Sequence, residues 1–234
     1  MGRSKEPAIR SQPHGPRERS RGLKQEIYQQ LREQIIFLDL KPGEFVNETR
    51  LASELGVSRT VLREILQRLI TDGLLTSTPG QGVNIQGIDL LLIKNVYEMR
   101  LPLEGLAGRL AAQRAQPEHL EQIRKLIASG EAAMGRHDYR GVARADWELH
   151  HVIGEATLNV LLANTLLRLL TPFNRLWYMA MREHGEVGNL WNEWREILAA
   201  LEKRDPVAAE KALVQHMTGT PLVISPVLSL SPQG

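Results

Sequence analysis

Apolar residues recur every three or four positions along most of this 234-residue chain, and strand-like runs are confined to one short stretch near residue 80. A pair of short helical segments meeting at Gly56 precedes that stretch, and long amphipathic segments follow it. Together these features predict a mainly α protein. An N-terminal winged helix-turn-helix of α/β type comes first, and an all-α helical bundle follows.

The chain is long enough to bury two cores, and 42% hydrophobic with 24% charged residues is an ordinary globular balance. No run approaches the roughly 18 apolar residues of a membrane span, and the basic N-terminus lacks a signal-peptide core. The absence of cysteine excludes disulfides, thiolate metal sites and cysteine nucleophiles, and suits a cytoplasmic protein. The net charge of +2 is unevenly spread: residues 1–22 carry six basic and two acidic side chains, which leaves the remainder near −2. Rich in Pro, Ser, Gly and Arg, that segment reads as a disordered basic tail able to follow DNA phosphates.

A first domain is expected over residues 23–87. Ile27, Leu31, Ile35 and Leu38 mark a helix that stops before Lys41-Pro42-Gly43. Leu51 and Leu55 then form an inward face, Ala52 lets two helices approach, and Gly56 makes the turn between them. Val57, Leu62 and Ile65 bury the second helix. Ser58 stands at its N-cap, while Arg59, Thr60 and Arg63 face outward, as readers of a DNA groove should. Gly73 closes that helix. Leu74–Ser77 and Val83–Gln86 flank Pro79-Gly80-Gln81-Gly82 as a hairpin whose tip can meet the DNA backbone or minor groove.

The KPG break, the run Val57-Ser58-Arg59-Thr60-Val61-Leu62-Arg63-Glu64 and the Gly-containing hairpin together resemble the GntR family of bacterial transcriptional regulators. The resemblance implies DNA reading through Arg59 and Arg63, assisted by Ser58 and Thr60, with Gly80 at the wing. Thr49 stands where some relatives carry a further arginine.

From residue 88 to 220 the chain reads as six helices near 89–115, 117–136, 139–158, 160–184, 188–204 and 206–219, followed by a tail over 221–234. Pro172 should kink the fourth of them or limit its first half. The runs Met99 to Glu104, Asp146 to His150 and Ala208 to His216 are similar to the FCD effector domain of the FadR branch, in its VanR-like six-helix variety. Asp146 and His150 lie four apart and project from one helix face, so they could share a cation. The resemblance implies that these two and His216 hold a divalent metal such as zinc. It also implies a further histidine where this chain has Trp194, whose indole cannot coordinate.

Three readings of Asp146, His150 and His216 follow. In the first they hold a metal whose open positions water or effector oxygen fills; in the second they bind an effector carboxylate directly, with Trp194 as a stacking wall; in the third they are ordinary polar residues of the bundle. Arg100 is expected to clamp an effector carboxylate, and Asn159, which matches a frequent family asparagine, joins it among the effector candidates. The function expected is a homodimeric repressor that binds a pseudo-palindromic operator in double-stranded DNA under control of a small organic acid. Two other classes compete: a metal-dependent hydrolase or lyase built on Asp146, His150 and His216, and an architectural DNA binder that needs no ligand.

Overall fold

The computed structural model describes residues 16–80, 82–184 and 188–229, with side chains between Gly22 and Gly219. Helix α1 (Pro16–Ile36) leads to α2 (Glu48–Glu54) and α3 (Arg59–Thr71), then to the antiparallel strands β1 (Leu75–Thr78) and β2 (Gly82–Ile85). Six helices complete the fold: α4 (Leu90–Arg114), α5 (Pro117–Gly135), α6 (Tyr139–Ala156), α7 (Val160–His184), α8 (Leu190–Glu202) and α9 (Pro206–Ser229).

In the first domain, Ile27, Leu31 and Ile35 of α1 pack with Leu62, Leu66 and Leu69 of α3 and with Ile85 of the hairpin. Asn47 caps α2 by accepting from the Arg50 amide at 3.0 Å, and Ser58 caps α3 by accepting from the Val61 amide at 3.3 Å. Between them Gly56 takes φ +64°, a left-handed conformation that disfavours any side chain. Residues 43–46 pair along β2, with Val46 N–H donating to the Val83 carbonyl at 2.8 Å, and so widen the wing.

The bundle is built by α4 against α9 and α7, α5 against α6 and α8, and α6 against α7. Gly108 lets α4 come close to α9: a Cβ there would stand 2.7 Å from the Ala209 carbonyl oxygen. Pro172 does not end its helix. Leu166 and Leu170 before it and Phe173, Leu176 and Trp177 after it are all buried, and this packing on both sides keeps α7 continuous.

Two boundaries differ from expectation. Residues 16–22, read as tail, belong to α1, and 221–229, also read as tail, continue α9. Residues 16–22 lie ahead of the apolar repeat of α1, whereas 221–229 are largely apolar and carry α9 past Pro221 and Pro226. Residues 1–15 and 230–234 lie outside the described residues. Among the described residues no helix is long and apolar enough to cross a membrane.

The two domains meet along α1, α6 and α7. Arg32 is buried, its guanidinium stacked 3.7 Å from the centre of the Trp147 ring while Nη2 donates to Thr171 Oγ1 at 2.9 Å. Burial pulls its pKa down to about 10, which still leaves it charged at neutral pH. Phe37 meets Tyr178 edge to face at 5.0 Å, and Arg144 and Arg140 pair with Glu33 and Asp39 at 2.8 and 2.5 Å. Arg175 Nη1 donates to the Gln86 carbonyl at 2.5 Å and so holds the connection from wing to bundle. Replacing Arg32 by Ala removes a desolvated cation–π contact and a charged hydrogen bond, and should cost about 2–4 kcal/mol in urea unfolding. Thr171→Val should cost only about 1 kcal/mol.

Candidate functional site: a reading face and a buried polar cavity

On the outer face of α3, Arg59, Thr60 and Arg63 are exposed, while Leu62, Ile65, Leu66 and Leu69 anchor the opposite face. The expected readers are therefore presented together. The Ser58 hydroxyl accepts the cap hydrogen bond and keeps its own proton and one lone pair for a further partner. Gly80 sits at the hairpin tip with φ +77°. Among the described residues Arg63 differs from Arg59 in having a partner, because its Nε donates to Glu48 Oε2 at 2.8 Å.

Five helices close around the second site. Arg100 and Glu104 come from α4, Asp146 and His150 from α6, Phe173, Asn174 and Trp177 from α7, Glu193 and Trp194 from α8, and His216 and Met217 from α9. Asp146, His150 and His216 are buried, and each offers one donor atom within 4.8 Å of the others. His216 turns Nε2 toward Asp146 Oδ1 at 3.8 Å while its Nδ1 lies 2.9 Å from Glu193 Oε2. His150 Nδ1 lies 3.1 Å from Glu104 Oε1, within ion-pairing reach though off the direction of a good hydrogen bond. One carboxylate and two imidazoles suit a zinc-like ion, and a carboxylate behind each imidazole is the support such ligands receive. The donor set therefore fits a divalent cation.

Trp194 is not the expected wall of the cavity. It is fully buried behind the site, with its indole N–H donating to Asp146 Oδ1 at 2.8 Å and its ring 5.0 Å from that of His150 and 4.7 Å from that of His216. Phe173 and Trp177 are the aromatic walls instead. Asn159 is corrected as well. Its side chain accepts from the Leu162 amide at 3.1 Å and caps the start of α7, and Asn159 is not among the residues that line the cavity.

Arg100 does line the cavity, fully buried, with Nη2 donating to Glu104 Oε1 at 2.6 Å. Burial alone would push the Glu104 carboxyl up, but the charges of His150 and Arg100 outweigh it and hold its pKa at about 2. Four buried polar atoms at the site have no hydrogen-bond partner among the described residues: the donors Arg100 Nε and Asn174 Nδ2, the acceptor Glu104 Oε2, and His150 Nδ1. Sequence reasoning missed Glu104, Glu193 and Asn174. The four-residue spacing from Arg100 to Glu104 was a usable signal, whereas nothing local marks Asn174. The space enclosed is about 20 Å³, room for a single water or ion and no more.

A winged helix carried on an all-α bundle defines a class of DNA-binding protein. Residues 23–85 match the gntR family of bacterial regulatory proteins, and residues 95–219 match the FCD domain. HTH-type transcriptional regulator YdhC of Bacillus subtilis is 30% identical over 195 residues, which cover 82% of this chain and 86% of that protein. HTH-type transcriptional repressor RspR of Escherichia coli is 25% identical over 195 residues, covering 83% and 86%. In fold, E. coli McbR/YncC is similar with a TM-score of 0.78 at 21% identity, over 88% of this chain and 98% of that one. The chain belongs to the GntR family and carries an FCD domain. The family and its relatives are transcriptional regulators, not enzymes, which sets aside the hydrolase or lyase reading.

The depressed Glu104 carboxyl makes acid stability informative. A carboxyl held below its ordinary 4.5 contributes stability that is complete above that pH and is lost as pH falls toward about 2. Between pH 5 and pH 3 the wild-type protein should therefore lose roughly 1–2 kcal/mol through this group in urea unfolding. Glu104→Gln should lack that share of the slope. It should also start about 3–5 kcal/mol less stable, because Arg100 stays buried without its counter-charge.

Proposed function

We propose that this protein is a homodimeric, cytoplasmic repressor whose hold on a pseudo-palindromic operator is set by a small organic acid bound between α4, α6, α7 and α9. One observation carries the reading: two uncompensated buried donors, Arg100 Nε and Asn174 Nδ2, stand beside Asp146, His150 and His216 around one cavity. Buried donors without acceptors are costly, and a carboxylate satisfies several at once. Asp146, His150 and His216 would hold a divalent cation, which when bound supplies a Lewis-acidic anchor for an effector oxygen.

At about 20 Å³ the closed cavity is too small for any organic acid, so binding must part its walls. Those walls lead to the reading head. Trp147, next to Asp146 on α6, carries Arg32 of α1, and Arg175, next to Asn174 on α7, holds the Gln86 carbonyl. Displacing α6 therefore shifts the first attachment of the first domain, and displacing α7 the second. For the dimer, Leu92, Met99 and Leu106 form an exposed apolar stripe on α4 at intervals of seven residues, a spacing that keeps them on one helix face.

Three measurements test the reading. In a thermal-shift screen of carboxylic acids, with and without chelator, a responding acid should also change tryptophan fluorescence and alter operator affinity roughly 5- to 150-fold. The absence of any responding acid favours the ligand-independent architectural binder. Arg59→Ala and Arg63→Ala should each lower sequence discrimination by about 1–3 kcal/mol in gel shifts while leaving the fold intact. Met99→Glu, which sets a charge in the apolar stripe, should shift the protein toward monomer in sedimentation and weaken operator binding.

A further inference from the structure

Glu48 stands beside the exposed face of α3 that carries Arg59 and Arg63, where a carboxylate should be unwelcome to DNA. It opens α2, and its side chain is three-quarters buried between α2 and α3. Helix capping does not account for it, since the Asn47 side chain already accepts from the first turn at Arg50 N. Near duplex DNA its charge would oppose the phosphates. What it does touch is Arg63, accepting from Nε at 2.8 Å.

Engaging Nε has a geometric consequence. The guanidinium plane is fixed and both Nη groups are left free at its outer edge, the edge that donates two parallel hydrogen bonds to guanine O6 and N7. Arg59, one turn earlier on the same exposed face, has no such partner among the described residues. Of the two arginines, only Arg63 is held in a set orientation.

We infer that Glu48 is a positioning residue for DNA sequence recognition: it orients Arg63 to read one base pair in each half-site, at the expense of general affinity for DNA. This rests on the assignment of α3 as the reading helix.

The experiment is selection of duplexes from a random library by the full-length wild-type protein and by Glu48→Gln, Glu48→Asp and Arg63→Ala. Glu48→Asp retains the charge at the start of α2 but is one methylene too short to hold Arg63 as Glu48 does, so it separates positioning from helix electrostatics. Arg63→Ala should relax preference at one position per half-site. Both Glu48 variants should relax that same position by about 5-fold or more and leave the others as they are. Binding of Glu48→Gln to an unselected duplex should be unchanged or tighter. In an Arg63→Ala background, Glu48→Gln should cause no further loss of preference.

Wild-type preference retained in both Glu48 variants would overturn the inference alone. So would relaxation at positions that Arg63→Ala leaves untouched, or a parallel loss of general affinity in Glu48→Gln with its thermal midpoint unchanged. Failure of the wild-type protein to enrich any sequence would instead remove the reading-helix assignment, and this inference with it.

Discussion

Glu104 is the constraint around which the bundle's polar centre is organised. It is a fully buried carboxylate, and burial of such a charge is unfavourable unless cations compensate it. Arg100, one helical turn away, supplies one cation at 2.6 Å, and His150 approaches from α6 at 3.1 Å. The same contact that makes the carboxylate tolerable fixes Arg100 at the cavity and turns the His150 ring by its Nδ1 edge. Asp146 and His216 are held by other partners, the Trp194 indole and Glu193. Every expected ligand is thus oriented from behind, on elements distant in sequence.

The small cavity and the domain junction use opposite faces of the same helices. Asp146 and Trp147 are adjacent in sequence, yet one turns to the cavity and the other to Arg32 of the first domain. Asn174 and Arg175 divide α7 in the same way between cavity and connection. Because successive residues of a helix point about 100° apart, a rigid helix ties two environments together without any long chain of contacts. Packed interiors yield in discrete steps, which makes such helices suited to switching between arrangements.

Much of this was legible in the residues. The spacing of Leu31 and Ile35, the Ser58 cap and the left-handed glycines at 56 and 73 gave the winged helix almost residue by residue, and helical periodicity placed all six bundle helices. The departures have physical causes. Pro172 is a poor helix residue in isolation, and buried neighbours on both sides override it. Asn159 joined the effector candidates through its match to a family asparagine, yet its side chain caps α7 and does not line the cavity. Trp194 sits at a site position, and only its buried N–H shows that it secures Asp146 from behind instead of facing a ligand.

Short-range chemistry settles what a single stretch of chain can decide by itself: where helices begin and end, which face is apolar, and that Asp146 and His150 share a side of one helix. Which partners satisfy a buried charge is a different matter, since Glu104 with His150, Trp194 with Asp146 and Arg32 with Trp147 join residues 46, 48 and 115 positions apart. Such pairings depend on how helices cross and on which polar atoms water can no longer reach, and only the assembled fold fixes either.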